Sequence, residues 1–284
     1  MSIVERGGDE AESILNTLFP KIGRSYRIGI TGLTGAGKST LVNMLIKQYR
    51  SDGLTVGVVA EDPTSPFSGG AILGDRVRML DASGDEGVFI RSIASRGSET
   101  GLSGCAIELA DVLDAFGRDI IFLETIGIGQ LEYRVRHSSH TTIVVLTPDA
   151  GDDVQSLKSG LMEVGDVFVV NKADRPQARG YTEDLRSMID LRAGKREWLA
   201  PVVETVATDG TGTDELVDAI QRHRDHLGEG SRFKDRLADL MKNRIAVLAD
   251  EKLSGAFWGD DAVRNDFEQA VTRVLSGKQS QVGS

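Results

Sequence analysis

A glycine-rich stretch near the start of the chain has the residue types that bind a phosphate chain. Its members are Gly32, Leu33, Thr34, Gly35, Ala36, Gly37, Lys38, Ser39 and Thr40. This is the spacing G-x-x-x-x-G-K-[ST] of a P-loop. The glycines allow the backbone to fold around an oligophosphate with its N–H groups pointing inward. Lys38 is expected to reach the β- and γ-phosphates, and the Ser39 hydroxyl to bind Mg²⁺.

The sequence on either side of this loop supports the prediction. The preceding residues, Tyr26–Thr31, alternate in character and are typical of a buried strand. Apolar residues then recur at helical spacing, namely Leu41, Val42, Leu45 and Ile46. A strand, a glycine loop and a helix N-terminus in that order form an anion-binding arrangement.

A second motif predicts which base is bound. Asn171, Lys172, Ala173 and Asp174 follow an apolar run that is predicted to be a strand. A carboxylate at Asp174 can accept hydrogen bonds from N1–H and the 2-amino group of guanine, whereas adenine offers no such donors. Adenine would leave the carboxylate unpaired, a penalty of order 10⁴-fold in comparable sites. Val206, Ala207 and Thr208 follow the last predicted strand, where backbone amides can contact the guanine O6.

A third motif concerns hydrolysis. Glu124 and Gly127 stand in the place of the D-x-x-G element of GTPases, with Glu for Asp. The carboxylate is expected to orient a Mg²⁺-bound water, and the Gly127 amide to contact the γ-phosphate. The next residue is Ile128, where Ras-like GTPases place a water-orienting Gln, so slow intrinsic hydrolysis is expected. Asp62, at the end of the second predicted strand, and Asp75, in the loop that follows, are further candidates for Mg²⁺, directly or through water.

Alternating strand and helix patterns define the fold class. Apolar runs predict strands at 26–31, 54–60, 87–90, 120–123, 142–146, 167–170 and 202–206. Helical stripes lie between them, including one formed by Leu102, Cys105, Ala106, Leu109, Val112, Leu113 and Phe116. On that stripe Cys105 is expected to pack in the core. The prediction is an α/β P-loop NTPase with a doubly wound, mostly parallel sheet and ligands at the carboxyl ends of its strands.

Composition narrows the class of partner. The chain has 284 residues, 33 Lys and Arg, and 43 Asp and Glu, a net charge of −10. That balance argues against a general nucleic-acid binder, and no apolar run approaches membrane-spanning length. One cysteine suits a reducing cytoplasm. The acidic N-terminus does not resemble a secretory signal.

Five stretches taken together resemble the MeaB/ArgK family, the accessory GTPases of adenosylcobalamin-dependent acyl-CoA mutases. They are EDPTSPFSGGAILGDR at 61–76, VFIRS at 88–92, ETIGIGQ at 124–130, AGDDVQSLK at 150–158 and NKAD at 171–174. The first and third are the most specific. The resemblance extends from about residue 24 to residue 227.

The resemblance implies a dimeric GTPase that uses GTP, GDP and Mg²⁺ and assists a mutase in cofactor loading, protection or reactivation. It implies mobile elements at 62–75, 124–132 and 149–158, the last with a lysine, here Lys158, that can pair with Glu124. The implied domains are a short helical extension at 1–23, the GTPase domain at 24–228 and a helical dimerisation arm at 229–284. The arm fits an amphipathic stripe formed by Phe233, Leu237, Leu240, Met241, Ile245 and Leu248.

Some features depart from the family pattern, and two other functions compete. The N-terminal region is short, 97–104 differs from the usual glycine-rich version, and His137 and His140 stand where an acidic residue is expected. Without a Cys/His cluster around them, these histidines are expected to lie in a surface loop rather than to bind metal. A nickel-insertion GTPase would need such clusters or a His-rich tail. A transport-system kinase would need a phosphoacceptor-binding domain and a catalytic Asp.

Overall fold

Seven parallel strands form one sheet at the centre of the chain. The computed structural model describes residues 1–62, 84–94, 102–126, 133–149, 161–193 and 197–259. Within them the strand order is β3-β2-β4-β1-β5-β6-β7, with every pair parallel. The strands are β1 Tyr26–Gly32, β2 Val56–Asp62, β3 Val88–Ala94, β4 Ile120–Glu124, β5 Thr141–Leu146, β6 Val167–Asn171 and β7 Val202–Thr205. All seven predicted strands are confirmed, and β2 extends further than predicted because its pairing with β3 continues to Asp62.

Helices cover both faces of the sheet. The helices of the described residues are α1 Ser2–Arg6, α2 Asp9–Leu18, α3 Lys38–Ser51, α4 Gly104–Ala115, α5 Tyr133–Arg136, α6 Met162–Val164, α7 Ala178–Ala193, α8 Thr213–Gly228 and α9 Arg232–Gly259, with a 3₁₀ turn at Phe19–Lys21. Helices α3 and α8 pack on one face through Leu41, Leu45 and Leu216, and α7 packs on the other through Leu185 and Ile189. Strands buried on both faces explain why their sequences are continuous apolar runs.

The apolar stripe of α4 ends earlier than its periodicity predicts. Leu102, Leu109 and Leu113 are buried as expected. Phe116, the last member of the predicted stripe, is 78% exposed and does not share the buried face. The helix ends at Ala115 and the chain turns at Gly117 with a φ of 82°. Helical spacing beyond the last helical residue therefore no longer predicts which side chain faces the core.

Buried ion pairs join the N-terminal region to α4. The Arg27 guanidinium lies 2.8 Å from an Asp111 oxygen and 3.1 Å from an Asp114 oxygen, with all three side chains almost fully buried. Asp114 also accepts the backbone N–H groups of Gly23, Arg24 and Ser25 at 2.8 to 3.0 Å. These contacts fix the direction in which the chain enters β1, the strand that leads to the P-loop.

The segment from α5 to β5 is not the surface loop that its sequence suggested. His140 is 2% exposed, and its ring stacks between the rings of Tyr26 and Phe233. A Cβ at Gly29 would lie 2.5 Å from a Val135 methyl group, so the segment packs directly against β1. The prediction failed for His140 because a polar local sequence is here buried by distant aromatic residues.

The chain divides into two compact units, residues 1–241 and 242–284, and the division falls within α9. The first unit contains the whole sheet. None of the helices in the described part of the chain has the length and apolar character that crossing a membrane requires.

Candidate nucleotide site

The predicted phosphate loop joins the central strand to a helix N-terminus. Gly32 ends β1 and Lys38 begins α3. Gly37, the residue before the helix, has a φ of 90°, and a Cβ there would lie 2.3 Å from the Asn171 amide nitrogen. Glycine is therefore required at this position for two independent reasons. A helix N-terminus at the end of such a loop favours anion binding, because the first-turn N–H groups point along the helix axis toward the loop.

Lys38 is held across the mouth of this loop. Its ammonium group donates hydrogen bonds to the carbonyl oxygens of Gly32 at 2.8 Å and Leu33 at 3.1 Å. A longer contact of 3.5 Å reaches the carbonyl oxygen of Ile126, beyond the end of β4. The side chain is 6% exposed. A positive charge is thus fixed where the loop would enclose phosphate oxygens.

Two predicted metal ligands are in direct contact. The Ser39 hydroxyl donates to a Glu124 carboxylate oxygen at 2.6 Å, and both residues are buried. Glu124 ends β4 and pairs in register with Ala60 of β2, so Asp62, two residues further along β2, lies on the same face of the sheet. A hydroxyl and carboxylates are the hard oxygen ligands that Mg²⁺ prefers.

These oxygens fit a Mg²⁺ ion that also binds the phosphates of a nucleotide. The described residues do not supply a full set of metal ligands by themselves, because they include no cluster of three or more His, Cys, Asp or Glu suited to a metal. Mg²⁺ usually takes one or two carboxylates and completes its shell with phosphates and water.

Asn171 connects the phosphate loop to the end of β7. Its amide nitrogen donates to the Ala36 carbonyl at 2.8 Å. Its oxygen accepts the Ala207 backbone N–H at 3.1 Å and the Thr205 hydroxyl at 3.2 Å. Lys172, with a φ of 59°, donates to the Gly35 carbonyl at 2.9 Å. The Asn-Lys pair therefore holds the loop from the side opposite Glu124.

The remaining predicted base contacts lie at the same edge of the sheet. Asp174 is exposed and follows Ala173, whose N–H bonds the Thr205 carbonyl at 3.0 Å. The Val206 N–H donates a hydrogen bond to the Thr211 carbonyl in an isolated antiparallel bridge, and the backbone turns there after β7. The Thr208 side chain is exposed. Asp75, Gly127 and Lys158 lie outside the described residues.

Sequence reasoning missed the polar residues on the opposite face. Thr31 and Thr125 are buried with their hydroxyl oxygens 3.0 Å apart. Glu61 is also buried, and one of its oxygens accepts the Ser103 N–H at 2.6 Å. Burial raises the pKa of Glu61, while the hydrogen bonds from Ser103 act against that shift. The available signal was alternation along the chain: Glu61 precedes Asp62 and Thr125 follows Glu124, so each faces the side opposite to its neighbour.

A phosphate loop braced by an Asn-Lys-x-Asp segment, with a carboxylate against its serine, defines the class: this is a P-loop GTPase. The family follows from comparison with known proteins. A family model described as the methylmalonyl-CoA mutase-associated GTPase MeaB matches residues 1–262. The chain therefore belongs to the MeaB family, as the sequence motifs predicted, and the family binds GTP and GDP.

Individual relatives agree. The chain is 45% identical to a protein of Pyrococcus abyssi that is named as a GTPase. The alignment spans 277 residues, which are 96% of this chain and 85% of the relative. It is 38% identical to the GTPase ArgK of Escherichia coli over 273 residues, or 94% and 82% of the two chains. A solved structure titled as a LAO/AO transport system kinase superposes with a TM-score of 0.72 at 25% identity, covering 94% of this chain and 81% of that one.

Proposed function

We propose that this GTPase is a cytoplasmic chaperone of an adenosylcobalamin-dependent acyl-CoA mutase, which it assists in cofactor loading, protection or reactivation. The observation that carries the proposal is the match of a mutase-associated GTPase family over residues 1–262. The motif at 61–76 and the motif that begins at Glu124 support it, because both belong to the resemblance rather than to P-loop proteins in general.

The described residues suggest how the phosphates are held. Lys38 and the first-turn amides of α3 bind the β- and γ-phosphates, and the Lys38 ammonium is already positioned by two hydrogen bonds, at 2.8 and 3.1 Å. Ser39, Glu124 and Asp62 hold Mg²⁺, with Asp75 as a further candidate from the sequence. When bound, Mg²⁺ offsets the negative charge that accumulates on the phosphates. Glu124 also orients water, since its carboxylate lies beside the metal-binding hydroxyl.

Guanine selectivity is assigned to Asp174, with Val206, Ala207 and Thr208 around the O6 edge. Asn171 supports this pocket without selecting the base itself, because its side-chain amide already makes hydrogen bonds with the backbones of Ala36 and Ala207. The Asp174 carboxylate is exposed at the same edge. It is therefore accessible to a base whose phosphates lie in the P-loop.

Hydrolysis is proposed to be slow until the partner binds. Ile128 follows Gly127, so the position that carries a water-orienting Gln in Ras-like proteins is apolar. Lys158 is proposed to pair with Glu124 in one nucleotide state and to release it in another. A missing catalytic group that a partner supplies is worth about 10³ to 10⁵ in rate in related systems.

The test is a GTPase assay with and without candidate B12-dependent mutases. We expect slow turnover alone, a marked rise with the cognate mutase, and a loss of that rise in Lys158→Ala with little change in GTP binding. Lys21→Ala, which removes an exposed lysine that precedes β1, whereas the phosphate loop follows β1, is the matched control. Fast unstimulated hydrolysis, or stimulation that Lys158→Ala leaves intact, contradicts the mechanism. Transfer of the γ-phosphate from GTP to a protein would instead support a kinase.

Dimerisation is proposed to involve α9. Ile245 and Leu253 are 66% and 72% exposed, and Ala249 between them on the same side of the helix is also exposed. An apolar stripe of this kind fits a second copy of the chain. Truncation after Met241 keeps Phe233 against His140, and is expected to give a monomer that still binds GDP. Light scattering that shows a monomeric full chain at all concentrations would rule the dimer out.

A further inference from the structure

Glu61 and Asp62, the last two residues of β2, point to opposite faces of the sheet. Residues alternate between faces along a strand. Val58 and Ala60 belong to the core that α3 covers, so Asp62 faces that side. A Cβ at Gly57 would lie 2.9 Å from a Leu113 methyl group of α4. Odd-numbered positions of β2, Glu61 among them, therefore face α4.

Glu61 meets the N-terminus of α4. Ser103 is the N-cap of this helix, and its hydroxyl accepts the Ala106 N–H at 3.2 Å. The Ser103 backbone N–H group in turn donates a hydrogen bond to the Oε1 atom of Glu61, at 2.6 Å. A carboxylate is favourable at a helix N-terminus because the helix dipole is positive there. Arg134 of α5 adds a positive charge near Glu61.

This contact is costly to build. Glu61 is 3% exposed, and its Oε2 atom is buried without a hydrogen-bond partner among the residues that the structure describes. A carboxyl group in such surroundings loses its hydration without full compensation. Burial accordingly raises its pKa. The apolar side chains Val56, Val58 and Val59 on the same strand show that β2 packs well without a charge.

We propose that Glu61 is a positioning residue for the Mg²⁺ site. Its hydrogen bond to Ser103 fixes the end of β2 against α4, and this holds the adjacent Asp62 on the nucleotide face. The inference rests on the proposed role of Asp62 at the metal. Groups that orient metal ligands from behind typically change metal affinity by about 10 to 100-fold when they are lost.

The experiment compares Glu61→Ala and Glu61→Gln with the wild-type full chain. Two quantities are titrated with Mg²⁺: the rate of GTP hydrolysis, and the dissociation rate of a fluorescent GDP analogue, which Mg²⁺ is expected to slow. For Glu61→Ala we expect about 10-fold more Mg²⁺ at half-maximal effect in both titrations, with GDP-analogue binding in EDTA unchanged. For Glu61→Gln, whose amide oxygen can still accept the Ser103 N–H, we expect a shift of less than about threefold.

Leu113→Ala is the matched control. Leu113 is 3% exposed and packs between α4 and β2, so its truncation loosens the same interface without touching the Glu61 hydrogen bond. We expect a lower melting temperature and an unchanged Mg²⁺ requirement. An equal shift in Leu113→Ala, or a wild-type Mg²⁺ requirement in Glu61→Ala, overturns the inference. A wild-type chain that neither hydrolyses GTP nor responds to Mg²⁺ would overturn the proposed function instead.

Discussion

Replacing His140 by Asn is predicted to reduce the loss of stability that the protein undergoes in mild acid. The His140 ring lies 5.1 Å from the Tyr26 ring and 5.3 Å from the Phe233 ring, measured between centroids. Its Nδ1 atom accepts the Arg27 N–H at 2.9 Å. Burial lowers the pKa of His140 to about 3, with further lowering by Arg27 and Arg236, an opposing effect of Asp114 and a lesser lowering by Arg224.

The sign and size of the effect follow from linkage. In the unfolded chain a histidine has a pKa of about 6.5, so the unfolded state takes up a proton as pH falls below that value. The folded state keeps His140 neutral, and stability is therefore lost as pH falls. Between pH 7.5 and 5.5 this loss is about 1.4 kcal/mol for His140. Burial lowers the pKa of His223 to about 4, so His223 adds about the same amount over this window.

The assay is urea-induced unfolding at pH 7.5 and 5.5. In His140→Asn the amide oxygen can still accept the Arg27 N–H, but the side chain cannot titrate. We expect lower stability than wild type at pH 7.5 because the ring stacking is lost, and a pH-dependent loss smaller by about 1.4 kcal/mol. His223→Asn is expected to act alike, and the double variant to remove about 3 kcal/mol of the loss. An unchanged difference between the two pH values in His140→Asn would refute the reasoning.

Three further substitutions test the site and its support. Gly37→Ala is expected to abolish binding of a fluorescent GDP analogue, because its Cβ would clash with an amide 2.3 Å away, whereas Gly35→Ala, with no atom within 4 Å, should weaken binding less. Asp174→Asn should shift preference from guanine to xanthine nucleotides in competition assays, because the amide donates where the carboxylate accepted; equal binding of ATP and GTP by wild type would contradict the motif assignment. Arg27→Met should cost about 3 to 5 kcal/mol in urea unfolding at pH 7.5, because two buried aspartates lose their partner; a loss below about 1 kcal/mol would contradict that.

Much of the fold could be predicted because the five inner strands, β1, β2, β4, β5 and β6, are buried on both faces. Continuous apolar runs such as 120–123 and 167–170 have few other interpretations when glycine loops and helical stripes lie between them. The phosphate loop was equally accessible, because its chemistry depends on a fixed local spacing. The MeaB family assignment depended on longer motifs, and the comparison with known proteins confirmed it.

The errors arose where a distant partner decides the outcome. His140 lies in a polar local sequence, yet the Arg27 N–H needs an acceptor there and two aromatic rings cover it. Phe116 continued a helical stripe, but the helix had already ended at Ala115. Local spacing describes a side chain's direction only while the secondary structure lasts, and burial depends on what the rest of the chain brings to that side.

The residues behind the nucleotide site, on the opposite face of the sheet, were also beyond what local sequence spacing predicts. At the nucleotide edge, the last two residues of β2, and the last residue of β4 together with Thr125 after it, place one polar residue on each face, because successive residues of an extended chain alternate. Glu124 contacts Ser39 on the nucleotide face, while the next residue, Thr125, contacts the Thr31 hydroxyl on the other. Asp62 and Glu61 divide in the same way. Motifs identify the residues that can touch a nucleotide, but those behind them are recognised only once strand pairing and helix positions are known. The Mg²⁺ requirement of Glu61 variants therefore tests whether a residue on the α4 side of the sheet affects Mg²⁺ binding on the nucleotide side.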